Sequence, residues 1–145
     1  MTKCFLSLLL LSLLTSTGAF CQNEIFGRWK TIDDETNEPK SIVEIYKKGD
    51  QLHGKIVELI NPPADDPDPV CDECPKDDPR YNQKVIGMEI IRDMKRNGDE
   101  FEGGTVLKPD EGKIYKCKIW LEDGDLKVRG YWGIFYRTQT WIRAN

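Results

Sequence analysis

Histidine is almost absent from this sequence, and it is the commonest side chain of acid–base catalysis and a frequent metal ligand. His53 is the one histidine of the chain, and no nucleophile stands with it in a catalytic spacing. The chain also lacks a His-Glu-x-x-His motif and a glycine-rich phosphate-binding loop. These absences argue against an enzyme, and the sequence predicts neither a cofactor nor a metal site.

A cluster of basic residues and a second long apolar segment are also missing. The chain has 21 Lys and Arg against 25 Asp and Glu, which gives a net charge of −4. Beyond the first 14 residues, no apolar run approaches the roughly 20 residues that a transmembrane helix needs. The composition therefore argues against nucleic acid and anionic membrane surfaces as partners, and it predicts no transmembrane segment.

Residues 1–21 are predicted to be a secretory signal peptide. Lys3 supplies a positive charge, Phe5–Leu14 is apolar, and the residues that follow are mostly small or polar. We expect cleavage after Cys21, with cleavage after Ala19 as the alternative. A lipid anchor on Cys21 is less favoured because Phe20 stands where the lipid-modifying pathway requires a small residue. The mature protein is thus predicted to be soluble and either periplasmic or secreted.

Residues 22–145 are predicted to form a single all-β domain. Asn97-Gly98 and Asp123-Gly124 lie between alternating segments, which is typical of tight β-hairpins. Because short turns join most successive strands, the sequence predicts an antiparallel up-and-down barrel of about eight strands with one long loop. The predicted strands are Phe26–Thr31, Ser41–Lys48, Gln51–Ile60, Val85–Arg96, Phe101–Lys108, Lys113–Glu122, Asp125–Trp132 and Phe135–Arg143.

Alternation along the sixth and seventh predicted strands indicates which side chains face the core. Trp120 and Tyr131 fall on the outward face, where pairing of the two rings across strands would account for their exposure. The predicted core-facing residues of the two strands are Tyr115, Cys117, Ile119, Leu121, Leu126, Val128, Gly130 and Trp132.

Two residues near opposite ends of the mature chain are suited to closing the barrel. Trp29 follows Gly27 in the first strand, and Arg143 ends the last strand. A closed barrel places its first and last strands side by side, so Arg143 can stack on the indole of Trp29. We therefore predict that Gly27, Trp29 and Arg143 jointly close one end of the barrel.

Three cysteines remain in the mature domain, and two of them lie in the loop 61–80. Cys71 and Cys74 are two residues apart, and export would place them in an oxidising compartment. We predict a local disulfide between them, with a redox-active pair or a metal site as less favoured alternatives. Cys117 is predicted to be a buried free thiol, and a bridge from Cys117 to the loop is the remaining alternative.

The same loop carries a run of acidic residues that includes Asp65, Asp66 and Asp68. Carboxylates at this density can collect calcium, but prolines interrupt the run and the twelve-residue calcium-loop pattern is absent. A solvated loop is therefore favoured over a calcium site.

Short motifs along nearly the whole mature chain resemble a known family. They are Gly27-Arg28-Trp29-Lys30-Thr31, Gly54-Lys55-Ile56, Cys71-x-x-Cys74, Ile86-Gly87-Met88, Gly112-Lys113-x-Tyr115-x-Cys117, Val128-Arg129-Gly130-Tyr131 and Arg137-Thr138-Gln139-Thr140-Trp141-x-Arg143. In these motifs the chain resembles an exported bacterial family known as domain-of-unknown-function family 2147. More broadly it resembles the calycin barrels, which include the lipocalins and the fatty-acid-binding proteins. The resemblance implies a barrel and an export route, and it implies no activity.

Arg137, Gln139 and Trp141 alternate along one face of the last predicted strand. If Trp141 packs inside the barrel, the two-residue period places Arg137 and Gln139 inside as well. A guanidinium there needs an anion, and the fatty-acid-binding proteins that the chain resembles use a last-strand arginine to hold a carboxylate. We therefore predict these three as ligand-binding residues. The alternatives are an internal pair of Arg137 with Glu58 or Glu89, and a register that turns Arg137 outward.

Two classes of function fit these observations. The favoured class is a non-catalytic exported envelope protein whose barrel binds a small hydrophobic or anionic amphiphilic molecule. The alternative is a filled barrel that acts as a structural or interaction module and contacts another envelope protein. In both cases we expect a monomer.

Overall fold

The computed structural model describes residues 25–145, so the predicted signal peptide and its cleavage site lie outside the described residues. Within 25–145 the chain forms eight strands and no helix, which confirms the all-β prediction. This part of the chain accordingly contains no helix that could span a membrane. The strands are β1 Gly27–Ile32, β2 Pro39–Lys48, β3 Gln51–Leu59, β4 Glu89–Asn97, β5 Glu100–Lys108, β6 Lys113–Glu122, β7 Asp125–Trp132 and β8 Phe135–Arg143.

These strands close into an antiparallel barrel in which each strand pairs with its neighbours in sequence, as the short turns predicted. Successive connections therefore lie at opposite ends of the barrel. The closed end carries the turns after β2, β4 and β6, together with Gly27 and Arg143. The loop end carries the connections after β1, β3, β5 and β7, including the long loop of residues 60–88.

The predicted contact between Trp29 and Arg143 closes the barrel. Trp29 pairs with Arg143 in the β1–β8 ladder, and the guanidinium carbon lies 3.8 Å from the centroid of the indole. Arg143 Nη1 also donates a hydrogen bond of 3.0 Å to the carbonyl oxygen of Phe26. A Cβ on Gly27 would lie 3.0 Å from the same nitrogen, and its φ of +116° favours glycine. All three predicted closure residues thus meet at the closed end.

The centre of the barrel is filled with apolar side chains. Full burial of one such side chain contributes about 1.5–3 kcal/mol, so this core dominates the stability of the fold. A side chain beside a void large enough for water would keep some accessible surface, and seven core residues on the strands keep none. They are Trp29, Val43, Leu52, Ile91, Met94, Ile119 and Leu126.

The alternation predicted for β6 and β7 is correct in the middle of both strands. Cys117, Ile119, Leu126 and Val128 are all buried. The prediction was wrong for Trp132, whose side chain is 74% exposed. The alternation of a strand determines whether a side chain points inward or outward. It does not determine the position of the residue along the barrel axis. Trp132 ends β7 at the loop end, where the core has already stopped.

The expected pairing of Trp120 with Tyr131 is also wrong, because the register sets the two rings apart. Tyr131 stands opposite Lys116, and Trp120 stands opposite Lys127. The ring of Tyr131 instead lies 6.1 Å from that of Tyr136 on β8. Trp120 has the guanidinium of Arg129 over its ring at 4.9 Å. Trp120 is therefore partly covered by a cation, and Tyr131 by a ring of β8.

The fourth strand was predicted to start at Val85, but β4 starts at Glu89. The backbone N–H of Val85 bonds to the carbonyl oxygen of Pro69, which holds the residue within the long loop. The chain then turns at Gly87, where φ is +90°. The apolar run 85–88 was misread as a strand because Val85 and Met88 are buried there, although the backbone turns at Gly87 and leaves Ile86 exposed.

The long loop is tied to the barrel by its cysteines. Cys71 and Cys74 form the predicted disulfide, with their Cα atoms 5.3 Å apart, and both residues are buried. A Cβ on Gly112, in the β5–β6 turn, would lie 1.6 Å from the carbonyl oxygen of Glu73. The loop backbone therefore rests directly on that turn. Cys117 is free and buried, as predicted, and burial raises the pKa of its thiol to about 12.

Candidate ligand-binding sites

The three residues predicted to bind a ligand form a short hydrogen-bonded chain on β8. Trp141 is buried, and its Nε1 donates to Oε1 of Gln139 at 2.9 Å. Gln139 Nε2 in turn donates to Oδ2 of Asp34 at 2.7 Å. Arg137 Nη1 lies 3.4 Å from the same Asp34 oxygen. The structure therefore brings the three together with a fourth residue from the β1–β2 loop.

The predicted environment of Arg137 was wrong in two respects. Its side chain is 72% exposed at the loop end of the barrel and does not lie in the core. Its carboxylate partner is Asp34, and not Glu58 or Glu89 of the alternative internal pair, so the outward-facing alternative is the one found. Asp34 can reach this position because β1 and β8 pair only at Trp29–Arg143 and Lys30–Ile142, near the closed end. A role for these residues in ligand binding stays a prediction.

A second candidate site, which sequence reasoning missed, lies between the long loop and the wall of the barrel. It is a cleft of about 570 Å³. Its lining combines four cationic side chains with apolar ones, and the cations come from β2, β4 and the loop. The lining residues are Lys48, Arg80, Gln83, Lys84, Ile86, Gly87, Met88, Glu89 and Arg92.

Glu89 is the centre of the charged network in this cleft. Its Oε2 accepts from the hydroxyl of Tyr46 at 2.5 Å and lies 3.4 Å from Lys48 Nζ. Its Oε1 lies 3.2 Å from His53 Nδ1 and 3.0 Å from Arg92 Nε. Burial alone would raise the pKa of Glu89, but the Tyr46 hydrogen bond and the neighbouring His53 outweigh it and lower the pKa. The carboxylate is therefore charged at neutral pH.

Four side chains converge on the one carboxylate of Glu89. His53 Nδ1 and Arg92 Nε are buried and approach Glu89 closely, yet neither has a hydrogen bond of good geometry within the described residues. Burial, followed by the hydrogen bond to Glu89, raises the pKa of Tyr46 to about 12, so its hydroxyl stays a neutral donor. Two buried side chains thus approach Glu89 without a well-aligned hydrogen bond, and one of them, Arg92, lines the cleft.

Arg80 fixes the loop side of the cleft. Its Nε and Nη2 donate to the two carboxylate oxygens of Asp78 at 2.8 and 2.7 Å. Nη1 donates to the backbone carbonyl of Glu89 at 3.1 Å, which joins the loop to β4. The hydrogen bonds from Arg80 lower the pKa of Asp78 to about 2. Lys84 pairs with Asp68 at 2.6 Å and remains 70% exposed at the rim.

This arrangement suits recognition more than reaction. Cationic groups lie next to the apolar side chains of Ile86 and Met88, and this combination matches a molecule with an anionic head and an apolar portion. Within residues 25–145 no three His, Cys, Asp or Glu side chains stand together in a way that could hold a metal ion.

The fold and the closed end define the class of protein. A closed eight-stranded up-and-down barrel within residues 25–145, sealed where its first and last strands meet, is a lipocalin-like barrel. The chain belongs to the family described as "Uncharacterized protein conserved in bacteria (DUF2147)", whose profile matches residues 27–143. No curated protein sequence matches the chain.

A solved structure supports the same fold. It is that of protein HP1028 from the human pathogen Helicobacter pylori, described as a member of the lipocalin family. The two chains are 20% identical, the match covers 84% of each chain, and the TM-score is 0.70. At this identity the likeness shows the fold, and the residues of the two candidate sites have to be judged on their own chemistry.

Proposed function

We propose that this protein is a non-catalytic, exported binding protein that holds a small anionic amphiphile in the cleft between the long loop and β4. The observation that carries the proposal is the composition of the cleft. Lys48 and Arg92 share the single carboxylate of Glu89, and Arg80 and Lys84 stand on the loop side. An anionic head group would form charge-assisted hydrogen bonds with Lys48 and Lys84, whose side chains are 62% and 70% exposed.

The filled centre supports a peripheral site over one on the barrel axis. Side chains from six of the strands meet there with no accessible surface, so an axial ligand would have to displace the core. The cleft, in contrast, is open without any change in the core. Ile86 keeps 41% of its surface exposed at this site and offers contact to an apolar chain.

Export is part of the proposal. Its support is the apolar and small-residue pattern of residues 1–21 together with the Cys71–Cys74 disulfide, the form that neighbouring thiols take in an oxidising compartment. The intact mass of protein exported from its host tests this part: we expect a chain that begins at or close to Gln22. A diacylglycerol adduct on Cys21 would contradict the expectation of a soluble protein.

Binding can be tested with a dansyl-labelled undecanoic acid and its neutral methyl ester as probes. We expect the acid to bind more tightly than the ester. The double variant Lys48→Gln, Lys84→Gln should weaken binding of the acid by about 10–100-fold, because a hydrogen bond to a charged group is worth about 1.5–3 kcal/mol. Both lysines are largely exposed, so the variant should remain folded.

The matched control is Lys95→Gln, which removes an exposed charge from β4 outside the cleft. It should bind the acid as tightly as the wild type. Equal affinities for acid and ester, or a double variant that binds as tightly as the control, would refute the proposed site.

The second candidate function is a filled barrel that contacts another envelope protein. The filled centre of the barrel favours it. Native mass spectrometry of protein purified from its own compartment separates the two candidates. A co-purifying small molecule supports the binding protein, whereas a ligand-free mass supports the interaction module.

A further inference from the structure

The β7–β8 turn presents an unusual concentration of exposed apolar residues. Trp132 is 74% exposed, Ile134 91%, Phe135 65% and Tyr136 62%. We call these four residues the aromatic tip. They lie at the loop end of the barrel, outside the long-loop cleft. Taking about 200 Å² for a large side chain, the tip exposes on the order of 600 Å², which is at the upper end of the roughly 300–600 Å² of the largest apolar patch on a typical soluble monomer.

The tip is held in an outward-facing arrangement by its own contacts. The rings of Trp132 and Phe135, paired across the hairpin, lie 6.3 Å apart. Gly133 takes a φ of +58°, which permits the tight turn between the strands. The guanidinium of Arg129 lies 4.3 Å from the ring of Tyr136. The exposed position of these apolar side chains is thus stabilised by contacts within the hairpin.

Cations stand next to the tip on the β6–β8 side of the barrel. Of the four Lys and Arg in residues 126–145, Arg129 and Arg137 lie towards the loop end, whereas Lys127 and Arg143 lie towards the closed end. Arg129 and Arg137 lie within the hairpin, and Lys116 stands opposite Tyr131 on the neighbouring strand. Asp34 is the carboxylate that approaches this group, through its pair with Arg137.

We propose that the aromatic tip docks the protein onto an anionic phospholipid surface. Trp and Tyr rings favour the bilayer interface, where the apolar ring is buried and the polar atom stays hydrated. Arg129, Arg137 and Lys116 lie next to the tip on strands β6–β8. Their positive charges are complementary to the negative lipid phosphates. The negative net charge of the chain argues against binding to such a surface. At physiological salt, however, charges interact over only about 8 Å, so the cations next to the tip determine its attraction to the lipid.

The size of the tip favours a membrane over a protein partner. A stable protein interface buries about 800 Å² on each side, usually across a broad surface. The aromatic tip exposes less area than that, on four residues of one hairpin. Shallow insertion of a few aromatic and aliphatic side chains, assisted by neighbouring cations, is a sufficient mode of membrane attachment. The proposal is independent of ligand binding in the cleft.

Co-sedimentation with vesicles tests the proposal. Vesicles of phosphatidylglycerol and phosphatidylcholine should bind the wild type at least tenfold more strongly than pure phosphatidylcholine vesicles, and added salt should weaken binding. The variant Trp132→Ser, Ile134→Ser should lose at least tenfold in binding to the anionic vesicles. Ile142→Ser, which changes an exposed isoleucine at the closed end, is the matched control and should bind normally.

A second measurement needs no destabilising change. Brominated phosphatidylcholine in the anionic vesicles should quench part of the wild-type tryptophan fluorescence. Trp132→Phe should still bind but lose that quenching, because the other tryptophans lie away from the tip. Absence of wild-type binding at every lipid composition would overturn the proposal and leave a protein as the occupant of the tip. Equal binding by the double-serine variant and the Ile142→Ser control would overturn it as well.

Discussion

Arg143 lies over the indole of Trp29, with its guanidinium carbon 3.8 Å from the ring centroid, and this contact joins the last strand of the barrel to the first. The indole has no exposed surface, and its Nε1 donates to the carbonyl oxygen of Ile25 at 2.8 Å. Trp29 therefore belongs to the core, and Arg143 packs over it at the closed end. The closing ladder between β1 and β8 contains two residue pairs, so the stack carries much of the closure.

Replacement of Arg143 by alanine should destabilise the protein by about 1–2 kcal/mol, through loss of the cation–π and packing contributions. Denaturant unfolding of the wild type, Arg143→Ala, Trp29→Phe and the double variant measures the coupling. We expect the two changes to be non-additive, since contacting residues couple. Additive losses would show that the contact does not contribute as a pair.

The sequence was sufficient for the barrel because its signals are local. Asn97-Gly98 and Asp123-Gly124 each define a hairpin between alternating segments. A series of such hairpins forms a sheet with two edge strands, and closure into a barrel pairs the free backbone N–H and C=O groups of both edges. The contact of Trp29 with Arg143 then follows from topology, although the residues are distant in the chain. The four residues before β4 were misassigned because they are apolar but lie in a turn.

The candidate cleft was not predictable in the same way. Its cations lie between Lys48 and Arg92 in sequence, and only the path of the long loop brings them together. That path depends on Arg80, which donates hydrogen bonds to Asp78 and to the backbone carbonyl of Glu89. No local sequence pattern predicts the hydrogen bond from Arg80 to Glu89. Asp34 is a similar case: it meets Gln139 only because β1 and β8 separate towards the loop end.

The three cysteines of the domain should differ sharply in reactivity. Burial raises the pKa of Cys117 to about 12, and Cys71 and Cys74 are joined, so we expect almost no alkylation by iodoacetamide in the native protein at pH 8. In denaturant without reductant, one cysteine should react. Non-reducing peptide mapping should identify it as Cys117. A labelled Cys71 or Cys74, or a peptide that links Cys117 to the loop, would contradict the pairing.

The pair of Asp78 with Arg80 should make stability depend on pH in the acid range. Because the pKa of Asp78 falls from 3.8 to about 2 on folding, its contribution is fully present above pH 4 and is lost as the pH falls through 2. Asp78→Asn should cost about 3 kcal/mol at pH 7, since it leaves Arg80 buried without its anion. Denaturant midpoints across pH 2–7 measure both effects.

The control for this pair is Asp77→Asn, which removes the neighbouring exposed carboxylate. Its stability should stay within about 0.5 kcal/mol of the wild type, as is usual for surface changes. Asp78→Asn should also lose less stability than the wild type between pH 4 and pH 2. Parallel pH profiles for the wild type and Asp78→Asn would assign the acid dependence to other groups, of which Asp33 is the first candidate because its pKa is also lowered to about 2.

Arg137→Met distinguishes the two candidate ligand sites. Arg137 is 72% exposed and its pair with Asp34 is long, so the variant should lose less than about 1 kcal/mol of stability. If the ligand occupies the cleft, affinity for the dansyl-labelled acid should stay within twofold of the wild type. If Arg137, Gln139 and Trp141 hold the carboxylate, affinity should instead fall by about 1.5–3 kcal/mol. The double variant Lys48→Gln, Lys84→Gln is titrated with the same acid in parallel. A loss of affinity in Arg137→Met alone would assign the ligand to the loop end of β8. A loss of affinity in the lysine variant alone would assign it to the cleft.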